Sequence, residues 1–290
     1  MEWDNYRLIL EIHRSGSVRG AAKIMGVDHS TISRRLTKLR QSMGDTIFEK
    51  RADGMVLTAA GQELFEAAEQ MELIGFAATR RSRALIDPER HAVRLSVPPT
   101  ISSLIMDDLK VFMIRNPDIL LILGATFGLA DLDRSEADIV IRGTNNPPDH
   151  FVGRRFFPYY LSLYGQVDYL RKTDPKDYAW ISKEHDGERF EWMLASDYPD
   201  APIAAMSDDV LVRHDLAIRG FGLTCGACYM SDPHPALARL KGAEPFPAQD
   251  LWVLTHADLR NVPAIKTTMK FLSETLVKHR ALFEGKLPSS

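Results

Sequence analysis

What the chain has little of already narrows what it does. Cysteine is nearly absent: Cys225 and Cys228 are the only two thiols in 290 residues, too few to staple a secreted fold, which points to a reducing compartment. No apolar run approaches the roughly 18 residues that span a bilayer, and Met1 opens an amphipathic pattern rather than a basic-then-apolar leader. The expectation is a cytoplasmic protein with no membrane partner. Catalytic signatures are missing too. The sequence has no G-x-S-x-G, no H-E-x-x-H and no G-x-x-x-x-G-K-[ST]; its histidines are scattered, and RGFGLTCG has a dinucleotide loop's glycines in the wrong context. Nothing calls for a metal or an organic cofactor, and an enzyme is not expected.

A large overall charge is also lacking, but the charge that exists is unevenly spread. The formal net charge is −3. Met1 to Thr58 hold ten Lys/Arg against seven Asp/Glu, a local +3 that leaves −6 for the remainder. With 45% hydrophobic residues over this length, two or three folding units are expected.

The basic end has a readable shape. Trp3, Tyr6, Ile9, Leu10 and His13 recur at helical spacing until Ser15-Gly16-Ser17 breaks the pattern and offers Ser17 as an N-cap. A short helix then runs to Met25. Gly26 supplies the left-handed stop and Asp28 the next N-cap, while Ile32, Leu36, Leu39 and Met43 mark the inner side of a second helix. Small Ala22 permits close packing and Ile32 plugs the angle, as in a helix-turn-helix. The polar side of that second helix carries His29, Ser30, Thr31, Ser33, Arg34, Arg35 and Lys38, read as hydroxyls and cations without a neighbouring acid, the chemistry that meets phosphate oxygens and base edges in double-stranded DNA. A solvated basic face is the plainer alternative. The next segment favours DNA: Ile47-Phe48 and Val56-Leu57 flank a turn at Asp53-Gly54, a β-hairpin wing whose Lys50 and Arg51 reach toward the backbone or minor groove.

At this point SGSVRGAAKIMGVDHSTISRRLTKLRQSMGDTIFEKRADGMVLTAAGQEL resembles the N-terminal signature of LysR-type transcriptional regulators, and length and layout agree along nearly the whole chain. The resemblance implies that the helix starting at His29 enters the major groove with Ser30, Ser33 and Arg34 near DNA. Many members have Gln where His29 stands, and Arg then a small residue where Lys50-Arg51 stands, so base preference does not transfer. The implied domains are a winged helix-turn-helix over residues 1–58, a linker helix over 59–88 and a two-lobed effector domain over 89–290. Thr58 caps the linker, whose Leu64, Ala68, Met71 and Ala78 lie along one side, and Pro88 in DPERH ends it. That stripe either packs on its own domain or, as the resemblance implies, pairs with a second copy in a homodimer or homotetramer. RNA polymerase is a further partner of such a regulator.

The remaining residues alternate β runs with helical stretches, the pattern of an α/β fold. Strands are expected at AVRLSV, ILLILGA, ADIVIRG, YLSLYG, YAWIS, GLTCGACYM and DLWVLTH, with two lobes like those of periplasmic solute-binding proteins joined by crossing strands. Ligands of such folds sit at strand ends. Thr100, Ser102 and Ser103 after the first strand, Gly143 and Thr144 after ADIVIRG, and Ser207 before the helix at Asp208 are the effector candidates; Ser102, Ser103 and Ser207 also suit helix caps. Their convergence on one cleft is what the family implies, with a small anionic effector. Cys225-x-x-Cys228 raises a redox-responsive alternative against a buried-thiol reading, and an exported solute-binding protein is the alternative of a different class.

Overall fold

The computed structural model describes residues 1–43, 47–51, 54–86, 91–127, 137–148, 151–183 and 189–286. Asp53 of the expected turn, residues 87–90 of the expected hinge, and the side chains of Met43 and Lys50 lie outside what it describes. The chain divides into two compact units, Met1–Ile86 and Asp87–Ser290.

In the first unit, α1 (Trp3–Ser15) and α2 (Val18–Met25) meet at Gly16, and the Ser17 hydroxyl accepts the Gly20 N–H at 3.0 Å as the expected N-cap. Gly26, with φ of +65°, closes α2 in the left-handed region where only glycine is unstrained. Next, α3 (His29–Met43) packs Ile32, Leu36 and Leu39 onto Leu8, Ile9, Ile12, Ala21 and Ala22, all buried. Trp3 is 40% exposed, so the inner stripe of α1 begins later than its spacing suggests. A hairpin of β1 (Phe48–Arg51) and β2 (Gly54–Leu57) pairs Phe48 with Leu57 and Lys50 with Met55.

The Thr58 hydroxyl then caps α4 (Ala59–Ile86), accepting the Gly61 N–H at 3.0 Å. The apolar side of α4 splits along its length. Leu64, Phe65 and Ala68 cover the winged core, while Met71 and Ala78 are exposed, as is Ile74 beside them. Arg14 fastens α1 to α4 through two hydrogen bonds to Glu72 at 3.1 and 2.7 Å.

Among the described residues, the second unit is built on one nine-stranded sheet. It begins with β3 (His91–Val97), α5 (Pro99–Leu104), α6 (Met106–Arg115), β4 (Ile119–Ala125) and β5 (Ile139–Gly143). A 16-residue strand, β6 (Phe151–Gln166), leads into α7 (Val167–Lys172), β7 (Trp180–Ser182) and α8 (Glu191–Leu194). Then come β8 (Ile203–Met206), α9 (Val210–Ile218), β9 (Leu223–Ala227), α10 (Cys228–Ser231), β10 (Leu237–Arg239), β11 (Phe246–His256), α11 (Pro263–Lys278) and α12 (Arg280–Phe283). The order is β4-β3-β5-β11-β6-β9-β7-β8, with β10 also on β6. Parallel β3, β4 and β5 make one half and parallel β7, β8 and β9 the other, while β6 and β11 pair antiparallel between them. The expected crossing strands are these two. β6 is far longer than YLSLYG: it starts at Phe151 and carries Pro158 opposite Asp250, where the register shifts, the irregularity that lets a proline sit in a ladder. Separate cores back the halves, one around Val93, Leu95, Ile139 and Val253, the other around Trp180, Met193 and Leu223.

Candidate functional site

The first candidate surface is α3, which divides lengthwise because its buried residues recur every three to four positions. With Ile32, Leu36 and Leu39 inside, His29, Ser30, Arg34 and Lys38 are exposed and Thr31 and Ser33 are half-buried at the margins. No Asp or Glu occurs within the helix. Asp28 starts it by accepting the Ser30 N–H at 2.8 Å, and that bond holds its carboxyl below the usual range. Arg35 departs from the expectation of a side without neighbouring acids: it turns to α1, with Nη1 3.3 Å from Asp4 Oδ2. On the hairpin, Arg51 lies 3.6 Å from Glu49, an exposed pair of little energetic weight. Thr37 and Arg40, four and seven positions after Ser33, extend the exposed side; helical spacing from Ser33 would have found them.

The second candidate is a cavity of about 680 Å³ at the C-terminal ends of the parallel strands, between the two halves of the sheet. Such ends expose free backbone groups and are where open α/β sheets hold ligands. Thr100, Tyr159, Leu161 and Tyr229 line one side, and Ser182, Arg213, Thr224 and Cys225 the other, with Phe190 and Trp192 as apolar wall and Lys183, Asp208 and Asp209 toward the mouth.

Of the six effector candidates only Thr100 lines it, and its hydroxyl is engaged with Tyr229 Oη at 2.8 Å. The Ser102 and Ser103 hydroxyls donate to the Pro99 carbonyl at 2.9 and 3.3 Å, satisfied by the preceding helical turn rather than by capping. Gly143 stands behind Tyr159, where a Cβ would come within 2.7 Å of the ring. Thr144 accepts from the Asn146 N–H at 3.2 Å and its carbonyl from Trp252 at 3.0 Å. Ser207 accepts from the Asp209 N–H at 3.2 Å as part of the approach to α9. The expected convergence of these five on the cavity is therefore not what the structure shows.

Three of the lining residues that were not anticipated stand out. Ser182 is 1% exposed and its hydroxyl has no hydrogen-bond partner among the described residues. The Arg213 guanidinium donates to the Ser207 carbonyl at 2.5 Å, and burial holds its pKa below the ordinary value even though Asp208 and Asp209 pull the other way. Trp192 stacks on Phe190 with ring centroids 5.7 Å apart. Burial also pushes the Cys225 thiol up to about 12, with Cys228 adding to it, and raises Cys228 itself. Among the described residues no group of three or more His, Cys, Asp or Glu is placed to hold a metal ion, and no helix is long and apolar enough to cross a membrane.

Comparison with known proteins respects the same division. Residues 3–62 match the family described as bacterial regulatory helix-turn-helix protein, lysR family, and residues 87–277 match the LysR substrate binding domain. The Mau operon transcriptional activator of Paracoccus denitrificans is 28% identical over 53% of this chain and 55% of its own length. The transcriptional regulator CbbR of Xanthobacter flavus is 35% identical over 39% of the chain and 34% of its own length. The chain thus aligns with about half or less of these two relatives. The solved structure of CrgA, a LysR-type transcriptional regulator from Neisseria meningitidis, is 16% identical and superimposes with a TM-score of 0.55 over 95% of this chain and 99% of that one, which shows a common fold. The matched families and these relatives are transcriptional regulators, not enzymes. Because the two matched regions take in both compact units and well over half of its residues, the chain belongs to the LysR family of bacterial regulatory proteins.

Proposed function

We propose that the protein is a sequence-specific transcription regulator that lays α3 in the major groove of promoter DNA and responds to a small anionic molecule held in the cavity of its second unit. The observation that carries this reading is the exposed side of α3, where Arg34 and Lys38 stand beside His29 and Ser30 with no acid in the helix. Cations there neutralise phosphates, and the short polar side chains suit base edges. Arg51 of the wing adds a backbone contact. Arg35, paired with Asp4, contributes less than its neighbours.

Pairing of two copies follows from symmetry, since two recognition helices read two half-sites. The exposed Met71 and Ile74 on α4, and Ile114 on α6 at 70% exposure, support apolar association. Redox sensing through Cys225 and Cys228 is disfavoured by thiols held above their ordinary pKa, because the thiolate is the reactive form. Footprinting on the intergenic DNA upstream of the protein's own gene tests the reading: a protected site lost in Arg34→Ala and His29→Ala supports it, and protection unchanged in both contradicts it.

A further inference from the structure

The cavity holds a polar asymmetry that says where a ligand is gripped. On the side of β3, the hydroxyls placed to meet an effector are satisfied internally: Thr100 by Tyr229, Ser102 and Ser103 by Pro99. On the side of β7, Thr224 and Ser207 are engaged as well, but one hydroxyl is not. Ser182 ends β7 with a fully buried hydroxyl that no described residue engages, and a buried unpaired hydroxyl is costly unless something fills it. Its carbonyl accepts the Ser207 N–H at 2.9 Å, and the Ser207 carbonyl in turn accepts from Arg213. One short chain of bonds thus sets the unpaired hydroxyl and a half-buried guanidinium on the same wall. Apart from the bond to Ser207, the guanidinium has no hydrogen bond or ion pair among the described residues. The nearest carboxylates are otherwise occupied or solvated, since Asp209 Oδ1 accepts the Leu211 and Val212 N–H groups at the start of α9 and Asp208 is exposed. The same cavity is lined by Trp192 and Tyr159, flat and largely apolar.

We infer that the effector is a carboxylate with a flat apolar body, its carboxylate seated between Ser182 Oγ and the Arg213 guanidinium and its body against Trp192 and Tyr159. This rests on the cavity being the effector site. A carboxylate supplies what the wall lacks, an acceptor for the Ser182 hydroxyl and a planar anion for the guanidinium fork. A cationic ligand would meet Arg213 unfavourably and leave Ser182 unpaired. The acids at the mouth make the site selective for one carboxylate rather than two, since a second would face Asp208 and Asp209.

The test is isothermal titration of the full chain with three molecules of one skeleton: phenylpropionate, phenylpropionamide and phenylpropylamine. Tryptophan fluorescence of the parent and of Trp192→Phe reports where each binds. Phenylpropionate is expected to bind at least tenfold more tightly than the amide and the amine, with a fluorescence change lost in Trp192→Phe. Arg213→Gln is expected to weaken it about 10- to 100-fold, the range of a charge-assisted pair, and Ser182→Ala by less, about threefold to tenfold. A merely structural role is separated by thermal melting, because Ser182→Ala removes an unpaired group and should melt no lower than the parent while binding more weakly. Equal binding of amine and carboxylate with the Trp192 signal intact, or phenylpropionate affinity unchanged in both variants, overturns the carboxylate anchor and leaves the cavity as the effector site. Absence of a Trp192-dependent signal with all three overturns the assignment of the cavity itself, and the anchor with it.

Discussion

At the scale of single residues, the two serine sets show what a sequence discloses and what it hides. Ser102 and Ser103 follow a strand and open a helix, the place where an effector hydroxyl is expected, yet a helical serine finds its own preceding carbonyl first, here Pro99 at 2.9 and 3.3 Å. Ser182 sits in the apolar run YAWIS, where periodicity marks only a buried strand. Whether its hydroxyl finds a partner depends on what lies opposite in space. Ser182→Ala is expected to raise the unfolding free energy by about 1 kcal/mol in urea titrations without ligand, the usual release when an unsatisfied hydroxyl is removed; a loss of similar size would mean that the hydroxyl is satisfied in the folded state. The cysteines give a second residue-scale outcome. With Cys225 pushed up to about 12 and Cys228 also raised, both stay protonated near neutral pH, and thiol counting after mild peroxide should still find two per chain. A drop to zero would restore the redox reading.

At the scale of elements, the helix-turn-helix was legible because its determinants are local. Ser17, Gly26, Asp28 and Thr58 each act within a few residues, and each does in the structure what its position suggests. Ala22, on α2 and 5% exposed, lies in the core that α2 shares with Ile32 and Leu36 of α3. Ala22→Leu is expected to cost about 1–3 kcal/mol, the range for overpacking, and circular dichroism melts of the full chain would register it in the first unit. The sheet was only partly legible. Strand runs are visible in sequence, but the order β4-β3-β5-β11-β6-β9-β7-β8 comes from pairings between distant segments, and β6 hid more than half of its 16 residues because Pro158 and the charged pair Arg154-Arg155 interrupt its apolar pattern. A half-buried histidine on α9, His214, adds a pH dependence. Burial, with His234 5.7 Å away, lowers His214 from 6.5 to about 4, against the opposing pull of Asp215. The unfolded chain therefore binds the extra proton first, so this contribution to stability is intact above 6.5 and is lost as the pH falls from 6.5 to about 4. His214→Gln should flatten that part of the pH–melting curve; an identical slope in the variant would assign the loss elsewhere.

At the scale of the whole molecule, the division at Ile86 joins the winged domain to the helix that the family resemblance sets apart as a linker over residues 59–88. An apolar stripe announces burial without naming its partner. Leu64, Phe65 and Ala68 find theirs within the unit, while Met71 and Ile74 remain outside. Ile74→Glu is accordingly expected to shift sedimentation toward the monomer without lowering the melting temperature by more than a degree or two, since a 66% exposed side chain contributes little to its own domain. Unchanged oligomeric state would move the pairing surface off α4.

The central claim is that the acid-free side of α3 meets duplex phosphates, and binding affinity as a function of salt measures it directly. Fluorescence anisotropy of a labelled upstream duplex, across a salt series, is to be compared between the parent and an Arg34→Ala, Lys38→Ala variant. Each neutralised phosphate contributes about −0.9 to the slope of log affinity against log salt, so the parent should show a steep negative slope and the variant one shallower by about two units for each copy bound. A parent affinity indifferent to salt, or equal slopes in the two proteins, would contradict the assignment of α3 as the DNA-reading element.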